Sequence, residues 1–457
     1  MNRRIDASSR RSGIVSIVLG GAWALALIAF AAELEWAIAP LRILFSVASL
    51  LLSYLFIMSG AAILVVSPLF LLALVAGWGF SIVPALFCAA EYALSGTNYY
   101  PRLPEFVGSS AELLILEFAL YCLLITLLVS RYWEKTPELG STIPLRQGLW
   151  LLGGVTAPLA LIQLFAIAGG FNSTLRSWLI GRDLLDSLPY LFSALVITAA
   201  LATVQQRTKP AWLVLAFCCM AIAVTLFLAG GNTKITFLCV CTTMLWMLTQ
   251  FEWQWRRLRT VSLVVIALVV GLAGFNLLKF FNPDRFFLSI AYAPVYKLVY
   301  RQADTGLCLV PVIETHLRDL SSEGTPSLLF MGLWPRYLWP AKPNLSSGDE
   351  WAIRYCGYPE TAVRQSRHSA SVTLLGDPII FDGWRGLALA HLTIALVLAA
   401  ATFLLWRRYP FGQTVVLAMM PWLIDFDQHF PLYLAQVGKG LLYVGCAVGA
   451  VMWLSQR

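Results

Sequence analysis

Two fixed cations stand beside tryptophans in the run Trp334-Pro-Arg-Tyr-Leu-Trp-Pro-Ala-Lys-Pro343, whose prolines keep the backbone out of a regular helix. Arg336 and Lys342 in that setting can hold a phosphate, while Trp339 lies at headgroup level or stacks on sugar. The same residues also suit an interfacial anchor that only fixes loop depth. A second basic group, Arg364, Arg367 and His368, precedes an apolar run at 372–376, and Asp377 and Asp382 follow. Histidine is the side chain best suited to proton transfer near neutral pH. Asp377 is a candidate base for drawing a proton from a hydroxyl. Gly376-Asp377-Pro378 and Asp382-Gly383 also read as turns, and the turn reading is preferred for Asp382.

Further ionisable groups gather around this segment. Arg301, Asp304, Glu314, His316 and Arg318 share helical spacing, and Glu314 with Arg318 reads as an ordinary surface pair, leaving Arg301 free to act. Glu117 and Lys439 lie within apolar runs, where a charge is costly. They suit either a structural pair with each other or contact with a bound headgroup. Lys234, in Gly230-Gly231-Asn232-Thr233-Lys234, opens a helix whose N-terminus favours an anion. Asp425, Asp427 and His429 crowd the end of another apolar run.

The elements that must position these residues are membrane helices. Of the 457 residues 59% are hydrophobic and 12% charged, and the mean hydropathy is +0.76. Apolar stretches long enough to cross a hydrocarbon core of ~30 Å recur along the chain. Alternating ten-residue segments of the β-barrel kind do not appear. The pattern predicts an all-α polytopic membrane protein of about 12 transmembrane helices. The spans fall at 14–32, 42–58, 61–82, 111–130, 149–170, 187–204, 211–230, 233–250, 260–280, 386–406, 411–427 and 433–454. Residues 1–280 then carry spans one to nine, 281–385 form one large loop, and 386–457 carry the last three. Arg3, Arg4, Arg10 and Arg11 flank the run Ile14 to Ala32, which is too long for a cleaved signal sequence.

With both termini in the cytoplasm, fifteen Lys/Arg fall on cytoplasmic ends and five on the opposite short loops. The 281–385 loop therefore faces outward, which in a bacterium with an inner membrane means the periplasm. It carries 10 of the 32 Lys/Arg and 10 of the 24 Asp/Glu, so it is balanced, and the net charge of +8 is mostly topological. Seven of the nine cysteines sit in apolar runs as small hydrophobes. Cys308 and Cys356 lie in the large loop, where an oxidising compartment would permit a disulfide.

Several function classes drop out. The chain has no Gly-rich phosphate loop, HExxH, GxSxG or Cys/His cluster at metal-ligand spacing, so no metal or cofactor is expected. The cytoplasmic loops are too short for a folded nucleotide-binding domain, which excludes an ATP-driven pump. Nothing suggests nucleic acid. A transporter of the inverted-repeat kind would show internal symmetry and midplane charges, whereas here the charges lie toward one rim.

The run Gly332-Leu-Trp-Pro-Arg-Tyr-Leu-Trp-Pro-Ala-Lys-Pro343, with Gly348 and then Ser369 to Gly383 containing Leu-Leu-Gly-Asp-Pro before Phe-Asp-Gly, resembles the Wzy-type oligosaccharide repeat-unit polymerases. Leu228 to Lys234 is similar to that family's small-residue element, which usually ends in Arg; at the position of Asp377 the family usually carries Glu. The likeness covers roughly 328–386 and 228–236. It implies a GT-C-like membrane glycosyltransferase that joins undecaprenyl-diphosphate-linked oligosaccharides. It also implies membrane lipids as surroundings, and a flippase and a chain-length regulator as partners. Arg336, Lys342, Arg364 and Arg367, helped by Lys234, would stabilise the departing diphosphate, with Arg301 and Trp339 as further substrate contacts. The base would be Asp377 or His368. Other readings are an O-antigen ligase, an enzyme using polyprenyl-monophosphate sugars, and a flippase of the same lipid-linked glycan.

Overall fold

The computed structural model describes residues 67–85, 88, 102–130, 141–151, 153–154, 188–206, 301–321, 323, 326–333, 339, 341, 348–366, 370–407 and 409–456. Regular structure among these is entirely helical, with no strand. Three stretches are long and apolar enough to cross a membrane: Pro68–Ala85, Thr373–Trp406 and Phe430–Ser455. The spans expected at 14–32, 42–58, 211–230, 233–250 and 260–280 lie outside the described residues, as does most of 149–170. The chain divides into two compact units. One comprises Met1–Lys135, Phe280–Ala399 and Ile424–Ala435; the other comprises Thr136–Lys279, Ala400–Leu423 and Gln436–Arg457.

In the first unit, helix α1 (Pro68–Leu74) runs on as a π-helical turn, Val75–Ile82. Pro68 occupies the first turn, where a missing N–H costs little. After α2 (Arg102–Phe106), helix α3 (Ser110–Ser130) starts on a local signal. Ser109 Oγ accepts the Glu112 N–H at 3.3 Å, while the Glu112 carboxylate accepts from the Gly108 N–H and from Ser81 Oγ, the latter at 2.9 Å. Ser and Glu three apart thus satisfy N–H groups at the start of the helix. The expected span at 111–130 matches α3 to within a residue.

The large polar loop is not an open loop. It contains α5 (Arg301–Leu307), α6 (Leu309–Val312) with a π-helical turn Ile313–Arg318, a 3₁₀ segment Pro326–Leu333, α7 (Gly348–Arg354) and α8 (Glu360–Ser366). A Cys308–Cys356 disulfide fastens the α5–α6 corner to the end of α7. Beside it, Arg354 forks onto Glu323 at 2.7 and 2.8 Å, and His316 Nε2 lies 2.9 Å from the Tyr355 hydroxyl. The expected Glu314–Arg318 pair does not form. The wide turn instead brings the Asp319 N–H onto the Glu314 carbonyl at 3.3 Å, which changes the register that a regular α-helix would have given.

Helix α9 (Thr373–Trp406) is two helices joined at a kink. Asp382 has φ −150° and Gly383 has φ +53°, so the turn read at Asp382-Gly383 is present, inside what looks like one long element. Pro378 removes one backbone donor just before it. Gly386 lets the second segment start close: a Cβ there would run into the Pro378 carbonyl. From 384 to 406 the helix is about 35 Å long, enough to cross a hydrocarbon core. Helix α11 (Phe430–Ser455) is the other long apolar helix of this end of the chain.

The second unit contains α4 (Leu188–Gln206) packed on α10 (Pro410–Leu423). Ser193 Oγ donates to the Ala418 carbonyl, and the Tyr190 and Trp422 rings stack with centroids 4.3 Å apart. At 14 residues α10 is about 21 Å long. It ends four residues short of the expected 411–427 because the polar stretch Asp425 to His429 leaves the helix.

Candidate functional site

The bend between α10 and α11, residues 424–429, is held from below by an apolar grip. Phe426 is fully buried, with its ring edge-on to Phe80 at 5.1 Å and stacked on Phe118 at 5.6 Å. Its carbonyl accepts the Leu374 N–H at 3.2 Å, which ties the bend to the start of α9. Burying a phenylalanine contributes about 1.5–3 kcal/mol and each aromatic contact up to about 1.5 more. The backbone on either side of Phe426 is therefore well placed to aim polar side chains.

Asp377 sits one turn into α9 with 3% of its surface exposed. Its Oδ1 accepts Trp351 Nε1–H from α7 at 2.8 Å, and its Oδ2 accepts the Phe430 backbone N–H at 2.8 Å. His429 Nδ1 lies 3.2 Å from both oxygens. Three elements thus converge on one carboxylate. Phe430 opens α11, and the His429 carbonyl accepts the Tyr433 N–H at 2.8 Å, so His429 occupies the N-cap position. Asp377 therefore serves α11 as a cap supplied from another helix, and its charge lies at the positive end of the helix dipole.

His429 is 4% exposed. Its pKa is raised above the ordinary histidine value. Burial, the largest influence, pushes it down, but the Asp377 carboxylate beside it, by charge and hydrogen bond, more than offsets this; Asp427 adds to the pull. The Ala370 backbone contributes too, although no hydrogen bond of good geometry joins any group to Nε2, which is buried without a partner. His316, a buried histidine of the large loop, is different. Its Nδ1 meets the Ser321 carbonyl at 3.1 Å and its Nε2 meets Tyr355, so both ring nitrogens are used.

Arg301, at the start of α5, reaches the same bend through an ion pair with Asp427 at 3.2 Å; the guanidinium is largely exposed and the carboxylate is not. The structure thus brings two of the nominated residues, Arg301 and Asp377, to the five-residue stretch Ile424–Gln428 and its flanking histidine. Arg364 is not part of this group: it is exposed and pairs with Glu360 on its own helix α8. Trp339 is 38% exposed, as an interfacial or ligand-facing ring would be. Arg336, Lys342, Arg367, His368 and Lys234 lie outside the described residues.

Glu117 on α3 pairs with His391 on α9, Oε2 to Nε2 at 3.2 Å, and His391 Nδ1 meets the Leu387 carbonyl at 2.9 Å. Lys439 lies exposed on α11. Among the described residues no group of three His, Cys, Asp or Glu side chains is gathered as metal ligands. Two participants carried little or no sequence signal. His429 showed only as one of a crowd of polar residues ending a span. Trp351 showed nothing, since an indole N–H aimed at a buried acid is a tertiary fact.

No family model, curated protein or solved structure matches this chain.

Proposed function

We propose that the chain is a membrane polymerase that joins undecaprenyl-diphosphate-linked oligosaccharide repeat units into a longer polysaccharide at the periplasmic face of a bacterial inner membrane. The full reading has twelve GT-C-like spans, both termini cytoplasmic, and a flippase and chain-length regulator in the same assembly line. One observation carries it. Asp377, from the Leu-Leu-Gly-Asp-Pro element on which the family likeness rests, is buried against His429 beside a bend that Arg301 also reaches. An acid, an imidazole and a cation at one rim of an apolar chain suit transfer of a glycan from an anionic lipid carrier. Attack by an acceptor hydroxyl needs a proton acceptor, and the departing diphosphate needs positive charge. The Cys308–Cys356 disulfide supports an outward, oxidising side for the loop.

Arg336, Lys342, Arg364, Arg367 and Lys234 are the proposed holders of the diphosphate, with Trp339 stacking on the glycan or lying at the interface. The purified protein in liposomes, given lipid-diphosphate-linked repeat unit, is expected to produce a ladder of lengthening glycans that Arg336→Ala abolishes. Transfer of glycan only onto a lipid A-core acceptor would make it a ligase. Movement of the lipid between leaflets without lengthening would make it a flippase and sink the polymerase reading.

A further inference from the structure

The acceptance of the proton is assignable more finely than to the Asp377–His429 pair as a whole, and the assignment rests on the glycan-transfer reading above. Asp377 has little capacity left. Trp351, Phe430 and His429 surround its two oxygens with four contacts between 2.8 and 3.2 Å. A carboxylate whose two oxygens already take four contacts has little room left to accept a substrate proton. His429 is the opposite case, because its Nδ1 is fixed on Asp377 while its Nε2 is buried near the Ala370 backbone with no hydrogen bond of good geometry. A buried polar atom left without a partner is uncommon and asks for an explanation.

The geometry points to His429 Nε2 as the group that takes the proton from the acceptor hydroxyl, with Asp377 as a positioning residue that holds Nδ1–H and so keeps the Nε2 lone pair open. As the hydroxyl oxygen bonds to the anomeric carbon of the donor, its proton passes to Nε2. The bond from that carbon to the diphosphate oxygen breaks, and its electron pair leaves on the diphosphate. The imidazolium then returns the proton to water. The charges facing the ring are Asp377 from α9 and Asp427 from its own bend. Arg301 from α5 is paired to Asp427. That ion pair is exposed on the arginine side and therefore weak, and an anionic lipid headgroup would compete for Arg301. Its opening would free the bend and let a hydroxyl reach Nε2.

The test uses the full-length protein in liposomes with lipid-diphosphate-linked repeat unit. In His429→Asn the amide nitrogen can still donate to Asp377, so the thermal unfolding midpoint, measured on the alkaline side where the wild-type ring is neutral, should stay near wild type. The turnover number should fall about 10²- to 10⁴-fold, the usual worth of a general base. Wild-type turnover should rise with pH through one ionisation above the ordinary histidine value, and this limb should vanish in H429N. In His429→Gly, added imidazole should restore lengthening, which a merely structural role would not allow. H429N as active as wild type, with the pH limb intact, would overturn the assignment while leaving the polymerase reading standing. A wild-type protein that binds the lipid-linked substrate yet never lengthens it overturns the functional reading, and this assignment with it.

Discussion

At the level of single residues, the carboxylate of Asp377 is the point on which neighbouring interactions depend. Trp351 gives it one of its short hydrogen bonds from an indole that is 5% exposed. Replacing Trp351 by Phe keeps most of the ring volume and leaves a buried acceptor short of a partner, at a cost of about 1–3 kcal/mol. Thermal unfolding of W351F in detergent should show that loss, and an unchanged midpoint would mean that water replaces the indole. Gly383 is the second sensitive position. Its φ of +53° lies in the left-handed region, and a Cβ there would sit 3.2 Å from the His316 carbonyl. Gly383→Ala is expected to destabilise by about 1–2 kcal/mol, read in the same assay. Neighbouring Gly386 fails for a different reason, contact with the Pro378 carbonyl.

At the level of elements, the loop helices depend on covalent and charged fastenings, since few of them are long. The disulfide closes a separation of 48 residues. Removing it in the Cys308→Ser, Cys356→Ser double variant should cost about 2–4 kcal/mol. The loss should appear as faster protease cleavage within 301–366, with the long apolar helices spared. The nearby clasp responds to pH. Arg354, chiefly through its hydrogen bonds, holds the Glu323 carboxyl below the usual range, and burial pushes the Tyr355 hydroxyl up to about 12. A depressed acid contributes stability above its unfolded pKa, and that contribution disappears as pH falls through the lower folded value. The exposure of both partners keeps this effect small. The tie between α9 and α11 runs the other way. His429 has a raised pKa, so its contribution is full below about 6.5, the ordinary histidine value, and is lost as pH rises through the higher folded value. Hydrogen exchange at the start of α11 should therefore speed up on the alkaline side in wild type and lose that dependence in H429N.

At the level of the whole molecule, the charge bias and the disulfide bear on the same issue, which side the loop faces. Fusion of a reporter active only in the cytoplasm after Arg457 should give signal. Maleimide labelling of intact cells should find Cys308 and Cys356 oxidised until a reductant is added outside. A reduced pair, or a silent C-terminal reporter, would reverse the orientation and move the Asp377–His429 site to the cytoplasmic face. Such a reversal would be incompatible with joining exported lipid-linked glycans. The three long apolar stretches agree with a membrane protein in either orientation.

Much of the plan is legible in the sequence because it rests on one-dimensional quantities. Run length and hydropathy located α3, α9 and α11 to within a few residues where they are described, apart from the extra turns at the start of α9. Local chemistry gave the turn at Asp382-Gly383. The sequence also marked Asp377 and Arg301 by type and place. It could not say that Asp377 would lie in a helix and cap another one 53 residues on, because that depends on Phe426 being gripped between Phe80 and Phe118. Nor could it separate His429 from His316, two histidines in polar stretches with similar surroundings in one dimension. Only tertiary packing used both nitrogens of one ring and left Nε2 of the other without a well-formed hydrogen bond, since hydrogen-bond satisfaction is decided by neighbours in space.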